Sequence, residues 1–186
     1  MRTLLMFLGC SLLWKTAVQA QQLYSAAAAE VAFFSDAPLE DIEAVCKTGQ
    51  SLINTATREV AVKIPIKSFK FPNSLMEEHF NENYMETEKY PHATFKGRIN
   101  ENIDFNKPGT YPVTATGRVN IHGVERDQTI KGTLTVAPNQ LNLEAKFDVL
   151  LTDHKIKIPE VVFMKIAEKI AVTTKFNYKP FEKKAN

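Results

Sequence analysis

The residues best suited to chemistry are four histidines, and their spacing does not suggest a catalytic or metal site. His79, His92, His122 and His154 are far apart, and none has the His-x-His or His-x-x-x-His spacing of a metal site. An acid–base or metal centre would therefore require the fold to bring two histidines and a carboxylate together. The sequence also lacks the Gly-x-Ser-x-Gly nucleophile motif and any phosphate-binding glycine loop. These patterns predict a protein that is not an enzyme and needs no metal or cofactor.

The chain has two cysteines, Cys10 and Cys46. If Cys10 is removed with a leader, Cys46 has no partner for an intramolecular disulfide. No histidine or basic cluster lies beside Cys46 in the sequence to activate a thiolate. We therefore expect Cys46 to be a buried apolar residue and not a reactive thiol.

Residues 1–20 have the pattern of a secretory signal peptide. Arg2 provides a basic start, Leu4 to Trp14 form an apolar run, and Val18-Gln19-Ala20 resembles a cleavage site. The run is too short to span a bilayer, which takes about 20 residues. An alternative is a lipoprotein acylated at the cysteine of Gly9-Cys10. This alternative is weaker, because the apolar run continues past the cysteine. We expect a periplasmic or secreted protein.

Composition indicates one globular domain over residues 21–186. Hydrophobic residues make up 44% of the 186-residue chain and charged residues 24%, which are ordinary values for a folded protein. Removal of Arg2 and Lys15 from the 23 basic residues leaves as many as the 21 acidic ones. A neutral chain has no electrostatic reason to bind nucleic acid.

The elements that must position any site are β-strands. Apolar and polar residues alternate repeatedly beyond residue 20, which is typical of strands with one buried and one wet face. Short turn sequences such as Ala137-Pro138-Asn139-Gln140 and Asn106-Lys107-Pro108-Gly109 separate them, so neighbouring strands should be antiparallel. His122 to Asp127 links another pair. The clearest alternating runs are Val60 to Lys67, Ile130 to Val136, Leu141 to Val149, and Ile170 to Tyr178.

Two segments have helical spacing instead. Ser74 to Asn83 begins with Ser74 and Glu77 in the arrangement of a capping box. Pro159 to Lys169 carries a stripe of apolar residues behind a proline. Pro65 and Pro112 lie within strand-like runs, where proline is expected at edges, bulges or outward-facing positions.

The pattern predicts an all-β fold, a closed antiparallel barrel of about eight strands with one or two short helices. A closed barrel buries a shared apolar face and removes the sheet edges, and a sandwich is the alternative. A barrel of this size is either filled by side chains or holds one small ligand.

The residues predicted to face the lumen form the candidate binding site. The set consists of Val62, Ile64, Phe95, Tyr111, Val113, Phe147, Val172, Phe176 and Tyr178. Met76, His79 and Phe80 are predicted to form a lid or mouth, where His79 would meet a polar head group. The same aromatic residues would equally serve a packed core without a ligand, so both interpretations stay open at this point.

Two segments of the chain have a more specific pattern than alternation. The first runs from Glu78 to Pro91 (EHFNENYMETEKYP) and continues into Ala93-Thr94-Phe95. The second is Gly117 to Val124 (GRVNIHGV), a strand that ends in a glycine turn. Both segments resemble the YceI-like (polyisoprenoid-binding) family. The resemblance extends over the chain beyond the leader, although only these two stretches are specific.

The resemblance implies an exported, lipocalin-like extended antiparallel β-barrel that encloses a long amphiphile such as a polyisoprenoid or an isoprenoid quinone. The family is associated with lipid transport or storage and not with catalysis. The expected partner is a hydrophobic lipid, with pairing of two barrels into a homodimer left open. The alternative is a structural or interaction protein of the envelope with a packed barrel core and no ligand.

Overall fold

A computed structural model describes residues 22–37, 41–158 and 166–182. Each strand pairs antiparallel with its neighbours in sequence, and the first also pairs with the last, which closes the sheet into a barrel. The predicted eight-stranded barrel is confirmed, and the sandwich alternative is wrong. The strands are β1 (Leu23–Asp36), β2 (Asp41–Asn54), β3 (Glu59–Pro65), β4 (His92–Ile99), β5 (Gly109–Ile121), β6 (Val124–Ala137), β7 (Gln140–Leu150) and β8 (Lys169–Pro180).

Alternation along the strands decides which side chains are inside. On β3, Val60 and Ile64 are buried and Val62 is half-buried, whereas Ala61 and Lys63 between them are exposed. Successive side chains of a strand point to opposite faces, so this order turns the β-branched residues toward the barrel interior. The same rule places the apolar series of β5 to β8 inside.

The barrel has two different ends. The described chain enters at Leu23 and leaves after Pro180 at the same end, which we call the terminal end; the turns after β2 and β6 and the loop after β4 also lie there. The opposite end carries the connections after β1, β3, β5 and β7. We call it the insertion end, because the long segment 66–91 between β3 and β4 lies there.

Side chains fill the barrel toward the terminal end. Ile53, Leu134, Leu141 and Tyr178 are fully buried there, and Leu141 and Tyr178 are direct neighbours across β7 and β8. Interiors of this kind are as dense as organic crystals. The terminal end is therefore the packed core of the molecule.

A two-residue turn joins β5 and β6 at the insertion end. His122 and Gly123 both have positive φ, 53° and 72°, as a tight hairpin turn requires. A Cβ at Gly123 would lie 2.4 Å from Cε1 of Tyr90, so only glycine fits. The predicted link from His122 to Asp127 was too long, because β6 already begins at Val124.

Pro65 and Pro112, the two prolines predicted within strand-like runs, lie where few ladder bonds are lost. Pro65 is the last residue of β3. Pro112 lies in the part of β5 that pairs with β6 but not with β4, whose pairing with β5 begins at Ala115. The loop between β4 and β5 spans residues 100–108 and is longer than the predicted turn Asn106 to Gly109.

The first predicted helix is present but begins differently. Helix α1 (Ser74–His79) is followed by one π-helical turn, Phe80–Tyr84. Its N-cap is Asn73, whose Oδ1 accepts a hydrogen bond from Leu75 N at 2.9 Å, so the predicted Ser74 cap is wrong by one residue. Single 3₁₀ turns occur at Ile66–Ser68 and Thr152–His154.

Some predicted features fall outside the described residues. The signal peptide, residues 1–20, is one of them. Of the second predicted helix, Pro159 to Lys169, residues 159–165 are outside and Lys169 is the first residue of β8. Among the described residues, no helix has the length and apolar character needed to cross a bilayer.

Candidate functional site

The lumen between the packed terminal end and α1 is an apolar cavity of about 520 Å³. That volume is within the range of roughly 300–1,000 Å³ seen for small-molecule sites. Its walls are the inward-facing residues of the strands together with residues of the 66–91 insertion. Seven predicted lumen residues line it, namely Val62, Ile64, Phe95, Val113, Phe147, Val172 and Phe176.

Tyr111 and Tyr178 are placed elsewhere, which corrects their assignment to the cavity wall. Tyr178 is fully buried below the cavity, where its hydroxyl lies 2.7 Å from Oγ of Ser51. Tyr111 pairs with Leu134 in the same packed region and donates its hydroxyl to Lys107 O at 2.9 Å. Both point inward, but their positions along the strands put them among the side chains that fill the terminal end.

The floor of the cavity is an aromatic contact between β8 residues. The rings of Phe176 and Tyr178 are 5.9 Å apart, and Phe176 faces the cavity above. Burial raises the pKa of the Tyr178 hydroxyl well above its usual range. The floor is therefore apolar and uncharged.

Four phenylalanines form the roof at the insertion end. Phe33 comes from β1, Phe69 and Phe71 follow β3, and Phe80 begins the π-helical turn. Their ring centroids are 5.0 to 5.8 Å apart in tilted, stacked and edge-on pairs. Such pairs contribute about 0.5–1.5 kcal/mol beyond their area burial. Of the four, the sequence predicts only Phe80 at this position, although Phe69 and Phe71 have an alternating spacing that also identifies them.

Helix α1 holds the predicted lid residues at this roof. Met76, His79 and Phe80 all line the cavity; Met76 and Phe80 are half-buried and His79 is exposed. Glu77 anchors the helix, because it accepts from Lys70 Nζ at 2.6 Å and from Phe71 N at 3.4 Å. The hydrogen bond from Lys70 holds the pKa of the Glu77 carboxyl below its usual value.

Polar groups are few in the cavity and none is a carboxylate, lysine or arginine among the described residues that line it. Ser35 and Thr174 are buried, and Ser35 Oγ already accepts from Ala167 N at 2.9 Å. Tyr84 is half-buried, and burial raises the pKa of its hydroxyl. Apart from these groups and His79 at the exposed rim, the described lining offers a ligand mainly apolar surface to bury against.

A polar cluster outside the lumen joins three segments of the insertion end. His122 Nε2 lies 2.8 Å from Oε2 of Glu86, and its Nδ1 lies 3.1 Å from the carbonyl oxygen of His154. The ring of His154 is buried, with Nδ1 3.3 Å from Val124 O. Burial lowers the pKa of His154, since the charged imidazolium is disfavoured without water.

Two histidines and a carboxylate thus meet, but not as metal ligands. His154 presents its main-chain oxygen to His122, while its ring points to another carbonyl. The described part of the chain holds no group of three or more His, Cys, Asp or Glu side chains placed to bind a metal ion. Cys46 is fully buried, with Sγ 3.6 Å from Thr48 Oγ1.

Comparison with solved structures gives the same fold at low sequence identity. A polyisoprenoid binding domain from Saccharophagus degradans has a TM-score of 0.72 and 13% identity, with 85% of this chain and 98% of that chain covered. BcnA of Burkholderia cenocepacia has a TM-score of 0.68 and 14% identity, with coverages of 80% and 95%. The YCEI protein of Campylobacter jejuni has a TM-score of 0.56 and 18% identity, with coverages of 70% and 78%.

Comparison with curated protein sequences gives no match. The model of the YceI-like domain family, in contrast, matches residues 26–178, from the first strand of the barrel to the last. The match includes the two segments of specific resemblance, the lumen walls and the insertion that forms the roof. The chain therefore belongs to the YceI-like domain family.

Proposed function

We propose that the barrel binds the hydrocarbon chain of a long amphiphile in its lumen without chemical conversion. The ligand class is a polyisoprenoid, an isoprenoid quinone or a similar lipid. The observation that carries the proposal is the apolar cavity of about 520 Å³, whose described lining contains no carboxylate, lysine or arginine.

The energetics of burial favour such a ligand. A chain that buries on the order of 300 Å² of apolar surface gains about 7 kcal/mol of gross driving force at about 25 cal/mol per Å². A charged group inside the lumen would lose its hydration without a partner, which costs several kcal/mol. The lumen therefore selects an uncharged chain and leaves the polar end at the rim, near His79.

Similarity to solved proteins supports the same ligand class. One structure with the same fold is described as a polyisoprenoid binding domain, and 98% of its length is matched. The apolar lumen gives a physical basis for transferring that ligand class to this chain.

The cavity favours ligand binding over the packed-core alternative. A structural protein of the envelope needs no space inside its barrel, and cavities in packed cores destabilise a protein in proportion to their volume. Here the terminal end is filled, whereas the half beneath α1 is not. A cavity that lies beneath α1 and reaches down to Val60 and Ile99 is better explained as a ligand site.

The proposed setting is the cell envelope. The signal peptide over residues 1–20 would export the chain to the periplasm or the medium, where it would carry or store its lipid. Balanced charge gives no reason to expect a nucleic acid partner.

Native mass spectrometry of the protein purified from its own cells tests the proposal, followed by organic extraction of bound material. We expect a stoichiometric isoprenoid, quinone or related lipid. A ligand-free protein that also fails to bind a panel of these lipids would favour the packed-core alternative.

Tryptophan substitutions at two alanine positions test the location of the site. Ala115 lines the cavity, whereas Ala61 is exposed on the outer face of β3. Ala115→Trp should fill the lumen and reduce lipid affinity more than tenfold, while Ala61→Trp should bind like the wild type. Circular dichroism checks that both variants fold. A folded Ala115→Trp variant with unchanged affinity would place the ligand elsewhere.

A further inference from the structure

The seam between β6 and β7 is paired over only part of its length. The ladder runs from Gly132–Ala145 to Ala137–Gln140, next to the hairpin turn. Beyond it, toward the insertion end, residues 124–131 of β6 pair with β5, and residues 146–150 of β7 pair with β8. No ladder pair joins these two stretches to each other in the described barrel.

Side chains bridge the unpaired part of the seam. Gln128 Nε2 donates to Asp148 O at 3.4 Å, and Arg126 Nε donates to Asp153 O at 3.0 Å. The third bridge is the His154 ring on Val124 O at 3.3 Å. Three separate side-chain bonds hold this stretch in place of the longer series of main-chain bonds in a continuous ladder, so the seam opens at lower cost than a fully paired one.

The β2–β3 seam, which is also incompletely paired, is sealed in a different way. Between β2 and β3 the ladder covers only Gln50–Asn54 of β2. There the segment after β3 packs against β2, and Val45 and Lys70 exchange two main-chain hydrogen bonds of 3.1 and 2.9 Å. The buried side chains of Ile66 and Phe69 lie behind this contact. Among the described residues, main-chain bonds thus cover the gap between β2 and β3, whereas side-chain bonds cover the gap between β6 and β7.

The barrel wall is thin where the β6–β7 ladder stops. Gly132, Ala145 and Thr174 line the lumen and also line a depression of about 470 Å³ that includes the exposed Lys131, Lys146 and other outward residues. A Cβ at Gly132 would lie 2.5 Å from Glu144 O, so the strands are in close contact at this point, where their ladder ends. Ile130 and Phe147, the next inward residues on each strand, are half-buried and line the lumen.

We propose that the unpaired part of the β6–β7 seam is a lateral portal through which a lipid chain enters and leaves the lumen. Opening it breaks side-chain bridges and leaves the ladders and the phenylalanine roof intact. The hydrocarbon chain of the lipid passes sideways between Ile130 and Phe147 into the cavity. This inference rests on the proposed lipid-binding function.

Exchange kinetics of a fluorescent probe test the portal. The double variant Arg126→Ala/Gln128→Ala removes two bridges but no cavity-lining residue. We expect N-phenyl-1-naphthylamine to associate with and dissociate from this variant about tenfold faster, which corresponds to about 1.4 kcal/mol off the barrier. The equilibrium affinity should stay within twofold of the wild type.

Two controls distinguish the seam from other routes. Arg58→Ala removes an arginine that donates to Asn100 O and Glu101 O at the terminal end, and it should not change the exchange rates. Lys70→Ala removes the bond to Glu77 that anchors α1, and it should also leave the exchange rates within twofold of the wild type. Wild-type rates in Arg126→Ala/Gln128→Ala, or acceleration by Lys70→Ala alone, would overturn the portal. Absence of probe binding by the wild type would instead count against the proposed function.

Discussion

The hydroxyl of Tyr178 on β8 lies 2.7 Å from Oγ of Ser51 on β2, across the intervening strand β1. Ser51 Oγ also lies 3.0 Å from Ala61 O, which can only accept. Ser51 therefore donates to Ala61, and Tyr178 donates to Ser51. This buried chain of hydrogen bonds ties three strands together beneath the cavity.

A double-mutant cycle should show that the two side chains act as a unit. Ser51→Ala leaves the buried Tyr178 donor without its acceptor and should lower the free energy of unfolding by about 1–3 kcal/mol. Tyr178→Phe should cost less, and the double variant should be more stable than the sum of the single effects predicts. Urea denaturation measures all four proteins. Strictly additive effects would contradict the coupling between Ser51 and Tyr178.

The ring contacts of the phenylalanine roof should stabilise the fold more than an exposed phenylalanine does. Phe80→Ala removes ring contacts with Phe33, Phe69 and Phe71 and should lower the free energy of unfolding by about 1–3 kcal/mol. Phe34→Ala is the matched control, since Phe34 is exposed on the outer face of β1. Equal losses in the two variants, measured by urea denaturation, would argue against the roof.

Glu101 should make the loop after β4 sensitive to acid. Burial raises the pKa of its carboxyl, but bonds from Thr114 N and Oγ1, both 2.8 Å, outweigh this and lower the pKa overall. The bonds therefore stabilise the fold above the ordinary pKa of glutamate and are lost as pH falls through the lowered value. Glu101→Gln should lower the free energy of unfolding by about 1 kcal/mol at pH 7 and by less near pH 3.

The control for that experiment is Glu144→Gln, which changes an exposed carboxylate on β7. Denaturation at both pH values should show no comparable pH-dependent difference for this variant. A Glu101→Gln effect that stays constant between pH 7 and pH 3 would contradict the ionic character of the Thr114 contact.

His154 should make the insertion end less stable as pH falls below about 6.5, the ordinary pKa of histidine. Burial holds its pKa lower in the folded state, so the unfolded chain binds a proton first and is favoured. Above that pH both states are neutral and no penalty arises. His154→Asn preserves a donor for Val124 O and should flatten the decline between pH 7.5 and pH 5.5.

His92→Asn provides the comparison, because His92 is only half-buried at the start of β4. Thermal or urea denaturation of the two variants at both pH values gives the slopes. A decline of unchanged steepness in His154→Asn would assign the pH dependence to other groups.

The strands could be predicted because their signal is local. Alternation within β3 and within β6 to β8 is visible in a few consecutive residues, and it was enough to identify the inward faces. The height of a residue within the barrel is different, because it depends on the stagger between neighbouring strands. The inward orientation predicted for Tyr111 and Tyr178 is correct. Their positions below the cavity floor cannot be predicted from the sequences of β5 and β8 alone.

The roof shows the same limit. Met76 and Phe80 were recognised from helical spacing, but Phe33 meets Phe80 only because β1 closes the barrel near the insertion. The N-cap of α1 is Asn73 and not the predicted Ser74 for a local reason. The backbone of Asn73 is extended, with φ of −117° and ψ of 122°, and its side chain accepts the hydrogen bond from Leu75 N. Asn73 therefore occupies the N-cap position, and Ser74 is the first residue of the helix.

Closure of β1 onto β8 has a practical consequence for handling the protein. Phe181 N donates to Leu23 O at 2.8 Å, so both extremities of the described barrel lie side by side. They are at the pole opposite the phenylalanine roof. A tag, a surface linker or a fused reporter attached to either extremity will project away from the lumen, and a short peptide joining the two would suit a circularly permuted barrel.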